Sequence, residues 1–532
     1  MHALNFWEVI AREEGERAGN EVASHGFVAA NAAPLVSMVL GVMCSPTANL
    51  ADSEPDDFGP VDQAHNCFVE VCCAVGAKRM LELVVPWAQA AMPSPEWQKR
   101  EAAAMALGLL QERCTLEEVG AIDAAALPIL WARLLAPEAA AREDHPKVRE
   151  ALAYFIAQAY LAHSVALLDT AEKVKGAVGS LCRLLQDKTP EVARLAAVGL
   201  NYVFSESKAA FDAGEATALY VKTPSGDIAT LFSGAGGSLE ILHGVVGRGS
   251  AAAAEEESAL SQECFKAVNV IISTFCLADV NTAEALLREV GMARLSASVA
   301  RTAGPPATAP LNAAERAVER EVQTAFCGMV HEVLLKAQDY AREDPPENAF
   351  LDKLRPLAEP LCALLLSVVD RNLVFSDAWL SLGNMLDSEL LPEAFWLQPA
   401  VLSALHPRIM AGLQSVAEGD TERVNACLLA AGDVLRKLRD HTPPELVLAY
   451  ANAVLGILGN VHLDRSLKPV ALELFVELNT AFDTMRPMLD PCLMYIGDAA
   501  QVPDAVRRAP RSPRARRWPS QPRRTPPRRL IC

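Results

Sequence analysis

Along most of this chain, apolar residues recur at spacings of three and four, the period of a helix that buries one face. Within Thr421–Leu438 the apolar positions Leu428, Leu429, Val434, Leu435 and Leu438 follow it. Period-two alternation is scarce, so the pattern predicts an all-α protein with no sheet of consequence. A turn signal recurs as well. Proline, a charged residue and an apolar residue open alanine-rich stretches at Pro95-Glu96-Trp97, Pro146-Lys147-Val148 and Pro190-Glu191-Val192, in steps of 51 and 44 residues. Later in the chain Val424 and Leu467 stand 43 apart, and VFSDAWLSLGNML (Val374–Leu386) begins 50 before Val424. Periods of about 40–47 residues belong to HEAT or armadillo helix pairs. The expected fold is a right-handed α-solenoid, with the second helix of each pair lining the concave face.

The same pattern divides the chain. Residues 1–204 and 349–502 read as HEAT repeats, the first block interrupted by an acidic corner, ADSEPDDFGPVD (Ala51–Asp62). Residues 205–348 read as HEAT-like, with the weakest periodicity and the most loop signals. These are GAGG (Gly234–Gly237) and Gly244–Ser250, expected to flank a short helix, then AAAAEEE (Ala251–Glu257), a low-complexity stretch either helical or disordered, and the flexible connector RTAGPPATAP (Arg301–Pro310). Residues 503–532 alternate arginine and proline without apolar spacing, so no helix there can bury a face. A basic arm for nucleic acid or nuclear localisation is one reading of this tail. Disorder that the body can do without is the reading taken.

Composition supports close helix packing: 51% of residues are hydrophobic but only 6% aromatic, and alanine is abundant. The net charge of −18 is uneven. Ten arginines and one aspartate lie in residues 504–532, which leaves about −27 on the rest. Such a body attracts basic partners and repels phosphate backbones, which excludes direct nucleic-acid binding by the body. The 13 cysteines form no CxxC and fall mostly in apolar helical runs, as free buried thiols do. The N-terminus lacks the apolar core of a signal peptide. Asn31, Pro34 and Ser37 break the apolar run Phe27–Cys44, which reads as a buried helix and not a membrane span. A soluble intracellular protein is expected.

Catalytic and cofactor chemistry find no foothold. His65, Cys67, Cys72 and Cys73 share one apolar helix, and adjacent thiols on a helix point about 100° apart, wrong for one tetrahedral zinc. GAGG lacks the Lys-Ser/Thr of a phosphate loop, and HExxH, GxSxG and kinase signatures are absent from the sequence. Neither an enzyme nor a cofactor is expected. What remains is a surface: Asp52, Glu54, Asp56, Asp57 and Phe58 in the acidic corner, with Tyr154 on an inner helix. Carboxylates pair with the heads of basic side chains while aromatic faces stack on their stems, so these residues are candidates for holding a basic helical ligand.

Four segments, in order, resemble the importin-β (karyopherin-β) nuclear import receptors. They are LNFWEVIAREE (Leu4–Glu14), the acidic corner running into DDFGP (Asp56–Pro60), PEWQKREAAAMALG (Pro95–Gly108) and GNVHLDRSLKPVALELF (Gly459–Phe475). The likeness spans about residues 1–500, thin across 205–348, and fits the central repeats of such a receptor, with the N-terminal and C-terminal repeats unmatched. It implies a receptor that binds basic cargo signals or the basic helix of importin α, is released by the GTPase Ran, meets phenylalanine-glycine nucleoporins, and moves between cytoplasm and nucleus through the nuclear pore. In that family the loop is a longer aspartate run ending in tryptophan, and Ser53 and Pro55 dilute it here. Three concave tryptophans of the family map onto Phe58, Tyr154 and Val198, so two positions keep an aromatic face. The alternative from another class is a HEAT scaffold, such as the regulatory subunit of a phosphatase.

Overall fold

The computed structural model describes residues 2–20, 25–45, 59–111, 143–222, 228–233, 237–255, 257–302, 312–342, 349–370, 376–388, 390–414, 421–460 and 466–481. They form two layers of helices wound as the right-handed HEAT-type solenoid that the repeat spacing predicts. In the inner layer, Pro60–Val75, Trp97–Gln111, Pro146–Leu167, Pro190–Asp212, Ser258–Ser273, Ala313–Arg342, Ser376–Asp387, Thr421–Lys437 and Leu467–Ala481 each pack on the next. Outer helices such as Ala77–Ala91, Ala171–Leu184, Ser238–Ala254 and Pro399–Gln414 pack against their inner partners. The turn signals read from the sequence open inner helices. Pro146 and Pro190 occupy the first helical position, where the missing N–H would be unpaired in any residue.

Helix Ala77–Ala91 shows why the outer layer forms. Ala77, Met80, Leu81, Val84, Val85, Ala88 and Ala91 are buried at helical spacing, while Pro86 is exposed, so its lost hydrogen bond falls on the water side. Gly76, at φ 87°, makes the one-residue corner between this helix and Pro60–Val75, in a left-handed conformation that favours glycine. Inner helix Trp97–Gln111 is different. From Ala102 to Gln111 every residue except Met105 is buried, because helices lie against it on several sides.

One contact repeats along the turns. Arg100 in the first turn of its inner helix bonds Glu143 (Nε–Oε2 2.9 Å, Nη2–Oε1 2.7 Å) in the turn before the next inner helix, and donates to the carbonyls of Ser94 and Pro95. Arg149 does the same with Asp187 (Nε–Oδ2 2.7 Å) and the carbonyls of Glu143 and Asp144. Each carboxylate also accepts a backbone N–H two residues on, from His145 at 3.0 Å and Thr189 at 2.8 Å. Burial alone would raise both carboxyls. The arginine and backbone donors outweigh it and hold Glu143 and Asp187 below the usual carboxylate range.

The segment of weak periodicity departs from simple repeats. Gly244–Ser250, read from sequence as a loop, lies inside the continuous helix Ser238–Ala254. Gly249 is there for closeness: a Cβ would come within 2.9 Å of Cys264 Cβ and 3.0 Å of the Phe265 ring. Before it stands a two-stranded antiparallel hairpin, Tyr220–Lys222 with Ile228–Thr230. Fully buried Asp279 fastens the hairpin by accepting from Ser233 Oγ (2.8 Å), Thr230 Oγ1 (3.3 Å) and the Cys276 N–H (3.1 Å). Tyr220 stacks on Phe211 at 4.1 Å, and Tyr340 Oη donates to the Phe275 carbonyl at 2.8 Å. A π-helical stretch, Leu286–Met292, follows. GAGG up to residue 236, residues 303–310 of the connector and the 503–532 tail lie outside the described residues.

Asp187→Asn should lower the chemical-denaturation midpoint at pH 7 by the equivalent of about 1–3 kcal/mol, the worth of a charge-assisted hydrogen-bond pair. A carboxyl depressed in the folded state contributes stability above its unfolded pKa and loses it as pH falls through the folded one. The gap between variant and parent should therefore close below about pH 4. Equal midpoints at pH 7 would show that the turn contact carries no stability.

Candidate functional site

Five successive inner helices, from Pro60–Val75 to Ser258–Ser273, enclose a groove of about 640 Å³. Met105, Leu109, Leu195 and Val198 line it with apolar side chains, and Tyr154 and Tyr202 with rings. Helical spacing of four lines up Glu150, Tyr154 and Gln158 on one helix and Arg194, Val198 and Tyr202 on the next. Gly108 fixes the depth of Tyr154. A Cβ at that position would lie 2.7 Å from Tyr154 Cδ1, 2.9 Å from Cε1 and 3.2 Å from the Phe155 Cα. The ring therefore lies directly on the backbone of Trp97–Gln111.

The rim is charged but internally paired. Glu150 takes Lys147 at 2.8 Å, Glu263 takes Lys266 at 2.6 Å, and Glu191 is held in two places by Arg194. Each pair lies within one turn of a single helix. The opposing carboxylates Glu263 and Glu150 add to the field that stabilises the Arg194 cation after its Glu191 bonds. Burial pushes His65 below its ordinary value, so it is neutral at pH 7. Behind the rim, burial pushes the Glu101 carboxyl up to about 7, with Lys147 opposing and Glu150 adding to the rise.

Of the residues singled out from sequence, Tyr154 lines this groove, as does Val198, the mapped position without an aromatic. Asp52, Glu54, Asp56, Asp57 and Phe58 lie outside the described residues. The description resumes at Gly59, whose N–H bonds Asp62 at 3.1 Å and caps the helix that carries His65 into the groove. Cys67 and Cys72 point into the core, and burial pushes the Cys67 thiol up to about 12. Among the described residues no group of histidines, cysteines and carboxylates could hold a metal ion, and no helix is long and apolar enough to cross a membrane.

Sequence reading missed a second polar cluster farther along the inner layer. Arg436 sits among Asp433 (3.1 Å), Glu477 (3.5 Å) and Asp387 (3.6 Å), three carboxylates around one guanidinium. Burial, then the charge of Asp387, pushes Asp433 up to about 7. The three acids are 46 and 44 residues apart, so the repeat period was the signal that could have found them.

No family model matches the chain. Its sequence is 26% identical to importin subunit beta-1 of Schizosaccharomyces pombe over 148 residues, which is 26% of this chain and 17% of that protein. In fold it is similar to importin beta crystallised in an ammonium sulfate condition, with a TM-score of 0.72 and 16% identity over 94% of this chain and 53% of the other. It is also similar to Kap95p, in a structure where Kap95p binding induces the switch loops of RanGDP to adopt the GTP-bound conformation. The TM-score there is 0.66, at 16% identity over 94% of this chain and 53% of the other. The chain thus has the importin-β fold, and it spans about half the length of these two solved chains.

Glu101, one turn before Met105 on the same helix, yields a test of burial at that point. A carboxyl raised in the folded state favours folding only below its unfolded pKa, and that contribution is lost as pH climbs to the folded one. Glu101→Gln should raise the melting temperature by an amount that grows from about pH 4.5 to 7 and then levels off. A gain independent of pH, or a loss at pH 8, would show that Glu101 is not desolvated.

Proposed function

We propose that this chain is a nuclear transport receptor of the importin-β type. It binds basic cargo signals, or the basic helix of importin α, on the concave face and works by binding and release without covalent chemistry. The importin-β fold across 94% of the chain supports this reading most strongly. The 148-residue likeness to importin subunit beta-1 adds to it. The ligand surface runs from the acidic corner, with Asp52, Glu54, Asp56, Asp57 and Phe58, to Tyr154. The carboxylates of the corner draw the ligand in, and Tyr154 holds the stem of one basic side chain. Ran in its GTP form drives release by small shifts at successive repeat interfaces that add along the solenoid. Contacts to phenylalanine-glycine nucleoporins carry the receptor between cytoplasm and nucleus.

Immobilised Ran-GTP should retain the chain specifically and saturably. Retention by a phosphatase core and not by Ran would favour the scaffold reading. In surface-plasmon binding of a basic import peptide, Asp56→Asn with Asp57→Asn should slow association and weaken its salt dependence. Tyr154→Ala should speed dissociation by the equivalent of about 1–2 kcal/mol. No detectable binding at low salt, or binding untouched by all three substitutions, would sink the assignment.

A further inference from the structure

We propose that Asp387, Asp433, Arg436 and Glu477 form a proton-operated clasp between three successive inner helices, tight while one carboxyl of the group holds a proton and loosened when all three are ionised. The clasp goes beyond the binding reading and holds whichever ligand the concave face takes.

Glycines let the helices meet on carboxylates at this point. Asp433 lies on the bare backbone of the inner helix before its own, since a Cβ on Gly383 would collide with Asp433 Oδ2. The same seat recurs one repeat on, where a Cβ on Gly432 would lie 3.2 Å from Glu477 Oε2. At the groove the corresponding seat, Gly108, takes the Tyr154 ring. A buried ring stays neutral across the physiological pH range, and a carboxyl need not. The junctions between Ser376–Asp387, Thr421–Lys437 and Leu467–Ala481 therefore close on groups whose charge can change.

Arg436 stands at the centre. It reaches Asp433 of its own helix at 3.1 Å, Asp387 of the helix before at 3.6 Å and Glu477 of the helix after at 3.5 Å. Three carboxylates around one guanidinium set like charges close together, which favours keeping one of them protonated. Asp433 has the least exposed side chain of the three, at 18%. Burial and then the Asp387 charge raise it to about 7, with Glu477 adding to the rise and Arg436 opposing it. Gln338 of Ala313–Arg342 donates to Asp387 at 2.9 Å, a contact without charge of its own. The outer helix Pro399–Gln414 also packs on Thr421–Lys437; its His406 bonds Tyr450 at 2.9 Å and its Arg408 the Ala404 carbonyl. His441, in the turn that follows, lies 3.7 Å from Glu393.

The sign follows from linkage. A carboxyl raised in the packed state stabilises the packing fully below its unfolded value, and that contribution is gone once pH passes the raised one. Roughly nine-tenths of the molecules carry the proton at pH 6 and about one-tenth at pH 8.

Hydrogen exchange followed by mass spectrometry on the full chain, corrected for the intrinsic pH dependence of exchange, tests the clasp. Between pH 6 and 8 the opening of Thr421–Lys437 and Leu467–Ala481 should increase about tenfold, while Ala171–Leu184 stays constant. Asp433→Asn, which keeps the shape and removes the charge, should hold both helices at their pH 6 protection up to pH 8. Asp387→Asn should shift the increase to lower pH and shrink what remains above pH 6. Equal opening at pH 6 and 8 in the parent overturns the proposal, as does an increase shared by Ala171–Leu184 or one that survives Asp433→Asn. Should Asp433→Asn fail to fold, an increase left unmoved by Asp387→Asn overturns it equally.

Discussion

An arginine in the first turn of an inner helix fastens one turn of this structure to the next, at Arg100 and again at Arg149. Arg100 and Arg149 each tie three things together: the entry to their own helix, the carboxylate of the next turn and, through it, the N–H of the residue just before the next inner helix. The apolar layer between repeats, with Phe68, Phe155 and Phe204 buried among its alanines, is held by a non-directional force. A bidentate charge-assisted bond adds direction. By fixing one turn against the next, it fixes the angle between neighbouring helix pairs. That angle, repeated, makes the concave face.

The groove follows from this geometry. Its five helices belong to consecutive pairs, and two of the four junctions between them carry the arginine tie. What they present is an apolar floor with charges that cancel helix by helix. Placing each cation one turn from its acid stabilises the helix surface at each pair by a few tenths of a kcal/mol. The same placement keeps the groove near neutrality within a strongly acidic protein. Overall charge and local charge therefore differ: the chain is strongly acidic, while the charges around this groove are paired.

Much of the architecture was legible in the sequence because repeats print their own period. Pro95, Pro146 and Pro190 announced inner helices that the structure places where the spacing required, and Tyr154 was read onto the concave side. The groove itself was harder to see. Tyr202, Met105 and Leu195 are unremarkable apolar positions one by one, and only the stacking of neighbouring pairs brings them to one cavity. Asp387, Asp433 and Glu477 were missed for the same reason, being isolated acids in sequence and neighbours across three helices. The error at Gly244–Ser250 had another cause. Glycine signals a loop on local grounds, but at Gly249 it is demanded by the approach of a second helix.

The hairpin fastened by Asp279 interrupts an otherwise repetitive stack, and the consequence is mechanical. A uniform solenoid behaves like a spring whose every coil yields alike, so a pull on one end reaches the other diluted but continuous. Here the bonds of Ser233 and Thr230 to buried Asp279 and the bond of Tyr340 to Phe275 rivet one stretch across sequence distances of 46 to 65 residues, with the stacked pair of Phe211 and Tyr220 beside them. Such ties resist bending locally, so the hairpin is a place where the regular coil is braced.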